Sequence, residues 1–309
     1  VRPSEIEMTA ARTRADAVEY TSGLRVESNC QNCNFSQIRM LGLEGPYSQL
    51  LIDGVASVSS LAAVYGIEQL PARLIDSIEV VKGGGSATYG AGSVGGVINL
   101  ISHRPSRTEA EVEASYLSIG GEPGFSLNAV GDWISADGTR SLTGFGHLDQ
   151  IEPADVDGDD FSEVTQRELL SLGARFDQYA LDSRARLSVE GTYTDAERRG
   201  GDLARFDLPP HETALTEQIL TERLGLGVSW LHQGSSSLDY RLASSWADSS
   251  RDSYYGADFD PNAYGTTDNP LFIVDAAANR YFTGSTLTAG AATRRHRMQA
   301  DRLGSEWVI

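Results

Sequence analysis

The chain has 309 residues, enough for one large domain or two smaller ones, and a net charge of −18 from 43 acidic and 25 basic side chains. This charge argues against nucleic acid as a partner, because phosphate binding requires a positive surface. An aromatic content of 8% and 32 glycines argue against a disordered acidic chain. No apolar run approaches the roughly 18 residues of a transmembrane helix, whereas the strands of a membrane barrel need only alternation.

Residues 1–107 are predicted to form a compact mixed α/β domain. A helix is expected over residues 8–20, with Gly23 as its C-terminal stop. A short helix is expected within residues 70–75, where Pro71 suits a first turn. Short apolar runs bounded by Gly, Pro, Asn or Asp predict five strands, at residues 24–26, 37–40, 49–52, 77–81 and 97–101.

Residues 108–309 show a different pattern, in which apolar and polar residues alternate over long segments. In residues 183–194, for example, Leu187, Val189 and Tyr193 fall on one face, while Arg186 and Glu190 fall on the other. One interpretation is a soluble antiparallel sandwich with one wet face. The segments reach about ten residues, however, which suits a tilted membrane crossing, and their polar face suits a hydrated lumen. We therefore predict about eight antiparallel strands of a transmembrane β-barrel.

The predicted connections between these strands alternate in length. Residues 136–138, 178–182 and 233–236 form short turns, and residues 152–164, 197–218 and 251–293 form long loops. Outer-membrane barrels have short turns on one rim and long loops on the other. The long loops are therefore expected to be extracellular.

Three motifs in the first domain occur in a fixed order. They are Ile-Arg-Met-Leu-Gly at residues 38–42, Leu-Leu-Ile-Asp-Gly-Val at residues 50–55, and the long block at residues 75–90 that continues into residues 95–101. This set resembles the plug domain of TonB-dependent outer-membrane receptors. Two positions depart from the family pattern, since Met40 stands where Gly is usual and Gly84 where Pro is common. The resemblance covers the plug, and the barrel is supported only by the alternation and the unequal lengths of the connections.

The resemblance implies a plug inside a barrel of about 22 strands, of which this chain would supply a fragment. It implies a protein of the Gram-negative outer membrane, in contact with lipid, that imports a scarce nutrient such as a ferric siderophore, haem, cobalamin or another metal complex. TonB would pull on an N-terminal box, which we expect to precede Val1. Alternatives are a glycan or peptide importer of the same family, or a non-transporting adhesin or signalling barrel. No enzyme is expected, because no catalytic motif is present.

The resemblance also places two substrate-binding apices in the plug, and we expect no cofactor there. They contain Asn29, Cys30, Gln31, Asn32, Cys33, Asn34 and Phe35 in the first, and Ser57, Ser59, Ser60 and Tyr65 in the second. Cys30 and Cys33 are either a structural disulfide or ligands of a soft metal. In the second case His211 is a candidate further ligand.

Two further sets of charged residues carry hypotheses. The carboxylates of Asp155, Asp157, Asp159 and Asp160 form a dense loop that either binds a structural calcium ion or is simply solvated. Arg39 and Glu79 are predicted to pair inside the plug or between the plug and the barrel wall. Aromatic residues at positions 254, 255, 259 and 264 are expected either to stack on a planar ligand or to lie in the membrane girdle.

Overall fold

A computed structural model of the chain describes residues 13–19, 21–28, 36–43, 47–55, 72–84, 93–235, 237–301 and 305–308. Within these residues the chain forms a small mixed domain followed by one large antiparallel sheet. The fold class predicted from the sequence is therefore confirmed. No helix in the described part combines the length and the apolar character that a membrane crossing requires.

The small domain contains a helix and two small sheets. Strands β1 and β2 pair antiparallel, whereas β5 lies between β3, to which it is parallel, and β4, to which it is antiparallel. A single 3-10 turn, Ala72–Leu74, precedes β4. The element bounds are Arg14–Glu19 for α1, Leu24–Ser28 for β1, Ser36–Met40 for β2, Ser48–Ile52 for β3, Ile75–Lys82 for β4 and Gly96–Ser102 for β5.

Two of the sequence motifs each contain a tight turn, and the two turns are of the same type. Leu41 and Gly42 have φ angles of 53° and 81°, and Asp53 and Gly54 have φ angles of 49° and 77°. Two positive φ angles in succession are characteristic of a two-residue type I′ turn. The backbones of Ile52 and Val55 close the second turn with reciprocal hydrogen bonds of 2.9 Å. The glycine of each motif therefore occupies the second position of the turn, where φ is positive.

The core of the small domain is apolar and joins α1 to both small sheets. Met40 is fully buried there, and its sulfur lies against Gly96. A side chain at Gly96 would collide with this sulfur and with the carbonyl oxygen of Val81, and the φ of Gly96 is +143°. This position therefore requires glycine. The buried cluster consists of Ala17, Val18, Leu24, Ile38, Met40, Ala72, Ile75, Ile78, Ile98 and Leu100.

The large sheet is an antiparallel ladder in which β6 to β12 pair in chain order, and β14 and β15 continue it after β12. Strand β13 pairs with residues 250–254 of β12, and β16 pairs with β15. The strands are β6 (Glu109–Ile119), β7 (Glu122–Ile134), β8 (Arg140–Ile151), β9 (Gln166–Ala180), β10 (Ala185–Gly201), β11 (Leu215–Ser235), β12 (Leu238–Ala257), β13 (Tyr264–Asp268), β14 (Leu271–Phe282), β15 (Ser285–Ala300) and β16 (Ser305–Val308).

The prediction of about eight strands is too low, since the described residues form eleven strands after residue 108. The error lies in residues 251–293, which were predicted to be one long loop. Strand β12 continues to Ala257, and β13, β14 and most of β15 follow within this segment. Strand β15 is rich in Ala, Thr and Arg, so its apolar alternation is too weak to indicate a strand.

The two faces of the large sheet have inverted polarity compared with a soluble sheet. On one face, large apolar side chains are exposed; Leu226 on β11 is 52% exposed and Val189 on β10 is 42% exposed. On the other face the side chains are polar and buried, among them Asn128, Asp132, His147, Asp149, Ser171, Asp177, Arg186, Ser188 and Thr194. A soluble sandwich buries its apolar face, so this arrangement contradicts that alternative and fits contact with lipid.

The connections of the large sheet follow the predicted alternation up to β12, but the third predicted long loop, residues 251–293, is formed mostly by strands. At one rim the links after β7, β9, β11 and β14 are short turns. In the turn between β9 and β10, Leu181, Asp182 and Ser183 all have positive φ angles. At the other rim the links after β8 and β10 span residues 152–165 and 202–214. At the same rim the link at Gly120 and Gly121 has two residues, and the link between β12 and β13 spans only residues 258–263.

Candidate functional site

The turn at Asp53 and Gly54 is where the small domain meets the large sheet. The carboxylate of Asp53 accepts a 3.0 Å hydrogen bond from Nη1 of Arg175, on β9, and a 3.1 Å hydrogen bond from the backbone N–H of Ser102. Its carbonyl oxygen accepts a 3.4 Å hydrogen bond from Nη1 of Arg241, on β12. The same turn is therefore held by two arginines from distant strands of the sheet.

Gly54 leaves the space that Arg241 occupies. A Cβ at Gly54 would collide with Nη1 of Arg241, and the N–H of Gly54 donates a 2.8 Å hydrogen bond to Oδ1 of Asn99. Arg241 is in turn fixed by Asp275, whose Oδ1 lies 2.7 Å from its Nη2. The glycine of the motif thus permits both the turn and the close approach of the sheet.

The charges around Asp53 form an alternating array. Arg175 lies between Asp53 and Asp177, with Nε 3.1 Å from Oδ2 of Asp177. Arg104 lies 3.8 Å from the other oxygen of Asp53, and Arg186 lies 3.7 Å from Asp177. The order is arginine, aspartate, arginine, aspartate, arginine, so a cation stands at each end.

Asp53 remains ionised because of this array. Burial alone would raise the pKa of its carboxyl group. The charges of Arg175 and Arg104 and the hydrogen bonds from Ser102 and Arg175 together outweigh burial, and the pKa lies below its ordinary value of 3.8. The attachment of the small domain to the sheet is therefore an ionic contact at neutral pH.

A cavity of about 330 Å³ adjoins the array, between the small domain and strands β9 to β12 and β14. Its wall contains four arginines, namely Arg104, Arg175, Arg186 and Arg241. None of these arginines was predicted to be functional. The sequence gives no signal for them, because Arg175 and Arg241 lie 122 and 188 positions from Asp53 along the chain.

The acidic loop between β8 and β9 is compact. Asp155 closes it, since its carboxylate accepts hydrogen bonds from the backbone N–H groups of Gly158, Asp159 and Asp160 at 2.6, 3.3 and 2.9 Å. These bonds hold the pKa of Asp155 below its ordinary value, the one from Gly158 contributing most. Three of the four predicted calcium ligands, Asp155, Asp157 and Asp159, come together here.

The fourth carboxylate of this cluster is Glu163 rather than the predicted Asp160. Ligand oxygens of Asp155, Asp157, Asp159 and Glu163 all lie within 4.8 Å of one another. Asp160 is not among these carboxylates; its φ is 68°, and its backbone N–H donates to Asp155. The alternate spacing of acidic residues from Asp155 onward is the signal that would have favoured Glu163.

The chemistry of the cluster fits a hard divalent cation. Carboxylate oxygens are the donors that Ca²⁺ prefers. The neighbouring charges of Asp159 and Glu163 raise the pKa of Asp157, so the cluster carries uncompensated repulsion. A bound cation would relieve that repulsion.

In the loop at residues 202–214, the 3-10 turn Pro210–Glu212 contacts β11 and β12. His211 lies against Tyr264, its Nδ1 2.8 Å from the tyrosine hydroxyl, and Tyr264 packs edge-on against Tyr254 at 4.9 Å between centroids. Tyr254 is buried, and Phe259 lies under the guanidinium of Arg205 at 5.0 Å. These rings are thus engaged with one another and with loop residues.

The predicted pair of Arg39 and Glu79 does not form between the described residues, where each has a different partner. Arg39, on β2, contacts the diagonally opposite Glu27 of β1. Glu79, on β4, accepts a 2.9 Å hydrogen bond from Asn99, its direct partner on β5. The reason is that the two residues belong to different sheets. The predicted apex residues at positions 29–35, 57, 59, 60 and 65 lie outside the described residues.

Comparison with known sequences and structures agrees with this architecture. Residues 1–97 match the TonB-dependent Receptor Plug Domain family. The vitamin B12 transporter BtuB of Vibrio cholerae is 24% identical over 189 residues, which are 59% of this chain and 31% of that protein. BtuB of Vibrio vulnificus is 33% identical over 100 residues, 32% of this chain and 16% of that protein.

Two solved receptors share the fold. The siderophore receptor PirA from Acinetobacter baumannii superposes with a TM-score of 0.78 at 17% identity, covering 97% of this chain and 48% of that receptor. The unliganded ferric citrate transporter FecA gives 0.71 at 15% identity, covering 100% and 49%. The chain thus spans about half the length of these receptors. Residues 1–97 thus match the plug-domain family of the TonB-dependent receptors, and the chain as a whole shares the fold of these two solved receptors.

Proposed function

We propose that the protein is an outer-membrane receptor of a Gram-negative bacterium that imports a scarce metal complex, a ferric siderophore, haem or cobalamin, with energy delivered by TonB. The observation that carries the proposal is the inverted polarity of the large sheet. Its apolar face is exposed, and its polar face holds the plug through Asp53, Arg175 and Arg241. A plug that is attached by ions and hydrogen bonds can shift without exposing apolar surface to water.

The names of the related proteins support the same class of cargo. They are called a vitamin B12 transporter, a siderophore receptor and a ferric citrate transporter. Vitamin B12 and the ferric chelates have in common a metal ion enclosed by organic ligands. We place the boundary between the plug and the barrel at residues 107 and 108, in the segment between the end of β5 at Ser102 and the start of β6 at Glu109.

Deletion of the gene in its host tests the proposal. Uptake of ⁵⁵Fe-labelled siderophores, haem and ⁵⁷Co-labelled cobalamin is measured in the deletion strain, in a tonB deletion strain and in a complemented strain. We expect one substrate to be lost in both deletion strains and restored by the gene. Undiminished uptake of all of them, or lost uptake of a glycan or peptide instead, contradicts the proposal.

We further propose that the predicted plug apices, residues 29–35 and 57–65, contact this substrate. The residue types support it, since two sulfurs and several amides are grouped in the first segment. The double substitution Cys30→Ser and Cys33→Ser is expected to weaken substrate binding or lower plug stability. Unchanged affinity together with unchanged melting would remove both the disulfide and the metal-ligand hypotheses.

We also propose that the acidic loop binds calcium through Asp155, Asp157, Asp159 and Glu163. Calcium titration of the purified protein, followed by calorimetry, is the measurement. Asp157→Asn is expected to weaken binding at least about tenfold, because a ligand charge is lost. Asp160→Asn, a change of the same charge in the same loop, should leave the affinity within about twofold. Equal losses in the two variants would mean a diffuse electrostatic effect instead of a site.

A further inference from the structure

The plug turn at Asp53 and Gly54 lies at one end of an elongated cavity of about 330 Å³. The level of the turn in the sheet is marked by Arg175, which lies directly opposite Glu190 on β10. From this level the cavity wall continues along β11 and β12 toward the short turn between these two strands. It does so through Gly227, Ser229 and Leu231 on β11 and through Ser245, Ala243, Arg241 and Asp239 on β12. The cavity therefore extends from the plug turn toward the rim of short turns.

The side chains in the row directly beyond the turn are small. This row consists of Ser188, Ser229 and Ala243, which lie side by side across β10, β11 and β12 and line the cavity. Each is two residues nearer the rim than its neighbour in the row of Glu190, and two residues along a strand span about 6.6 Å. A shift of the plug turn by this length toward the rim meets no large side chain in this row.

Arg186 stands one row further toward the rim and has a buried donor without an acceptor. Its side chain is 8% exposed, and its Nε donates no hydrogen bond to any residue that the structure describes. Its carboxylate neighbour, Asp177, lies 3.7 Å away and already accepts hydrogen bonds from Arg175 and from the hydroxyl of Ser188. A buried guanidinium N–H without an acceptor costs free energy, so a further carboxylate beside Arg186 would stabilise it.

Arg175 does not depend on Asp53 alone. Its Nε lies 3.1 Å from Asp177, and the charge of Glu190 also acts on it. The arginines around the cavity interact with or lie beside five carboxylates, and Asp53 is one of these five. A move of Asp53 from one guanidinium group to another therefore leaves the balance of charge around the cavity unchanged. The five are Asp53, Asp177, Glu190, Asp239 and Asp275.

We propose that the plug turn has a second seat one row nearer the rim of short turns, in which the carboxylate of Asp53 exchanges Arg175 for Arg186. The exchange gives Nε of Arg186 an acceptor and leaves Arg175 with Asp177. Arg241, whose Nη1 already contacts the carbonyl oxygen of Asp53, stands in the row of Arg186 and stays within reach. The contact between plug and sheet is thus bistable, with two discrete sets of ion pairs.

The second seat rests on the proposed function, because it gives the pull of TonB a first step. TonB would act from the side of the short turns, and the cavity extends in that direction. A plug held by a single set of buried ion pairs would have to break them before it moved, which is costly. Here one set replaces the other, so the plug yields by one row while it stays attached.

A double-mutant cycle in the complete protein, purified in detergent, tests the second seat without any transport. Asp53→Asn and Arg186→Met are made singly and together, and the equilibrium constant for urea unfolding of the plug is measured. The cycle is repeated with Arg175→Met, in which the first seat is lost and Asp53 should occupy the second. We expect the coupling between Asp53 and Arg186 to be at least about tenfold larger in that background.

Equal coupling in the two backgrounds, or none in either, overturns the proposal. If Arg175→Met does not fold, Arg175→Lys takes its place, because lysine keeps the charge but lacks the planar fork that reaches both Asp53 and Asp177.

A larger side chain in the row beyond the turn tests the movement itself. Ala243→Leu fills this row, whereas Ala247→Leu, on the same face of β12 but outside the cavity, is the matched control. Substrate binding should stay within about twofold in both variants, and TonB-dependent uptake should fall at least about tenfold in Ala243→Leu alone. Equal uptake in the two variants contradicts the second seat. If the unmodified protein takes up no substrate, the proposed function fails, and the cycle still decides the seat.

Discussion

The plug and the large sheet use opposite arrangements of the same kinds of side chain. In the plug, Met40, Ile98 and Leu100 are buried in an apolar core. In the sheet, Asp132, Asp177 and Ser188 are buried, whereas Leu226 is exposed. The plug is therefore stable through its own core, while its attachment to the sheet relies on ions and hydrogen bonds. The difference separates two properties, the fold of the plug and its retention, which different substitutions should affect independently.

The largest expected effect comes from breaking the attachment. Asp53→Ala leaves Arg175 buried beside Asp177 without its second carboxylate, a change that costs about 3 kcal/mol. The plug itself should stay folded, because Asp53 lies outside its apolar core. Hydrogen exchange of the purified protein should show faster opening of the contact between plug and sheet. Asp76→Asn, at an exposed position of β4, should have no such effect.

A charge on the exposed face of the sheet tests the other half of the comparison. Leu226→Arg is expected to destabilise the protein in lipid vesicles by about 2–4 kcal/mol, because arginine near the middle of a bilayer is costly. Asp195→Arg, on the same face of β10 but beyond the last apolar residue, Tyr193, should change stability by less than about 0.5 kcal/mol. Denaturant unfolding in vesicles measures both. Equal costs would mean that the face of Leu226 does not contact lipid.

Within the plug, a single methyl group should disturb the core. Gly96→Ala forces a side chain against the sulfur of Met40 and the carbonyl of Val81 at a φ of +143°. The expected loss is about 2 kcal/mol, from overpacking and backbone strain together. Gly84→Ala is the control, because Gly84 has open space and no positive φ. Thermal unfolding of the plug should separate the two variants, and no difference would contradict the packing described here.

The smallest effect is the pH dependence of the attachment. The folded pKa of Asp53 lies below 3.8, so its contribution is fully present above that pH and is lost as the pH falls below it. The stability difference between the unmodified protein and Asp53→Asn should therefore be constant from pH 7 to about pH 5 and shrink at lower pH. A difference that instead grows on acidification would show that Asp53 is not held ionised by its arginines.

The sequence predicted much of this arrangement because short-range patterns determine it. All five plug strands are present, and so are the predicted short turns and two of the three predicted long loops. The strands within residues 251–293 were missed, since small residues give them little contrast between faces. The pairing of Asp53 with Arg175 could not be predicted, because it joins residues 122 positions apart. The pair of Arg39 and Glu79 was predicted wrongly for the same reason, as charge type alone does not specify which strands are neighbours.

The two rims of the large sheet should differ in how readily they accept insertions during evolution or engineering. The turn at Leu181, Asp182 and Ser183 holds three successive residues at positive φ, so inserting a residue there would shift the register of β9 against β10. The loops at residues 152–165 and 202–214 are longer, so a residue inserted there can be accommodated without a shift in the register of the strands. Insertions, epitope tags and sequence drift should therefore accumulate at that rim without disturbing strand pairing.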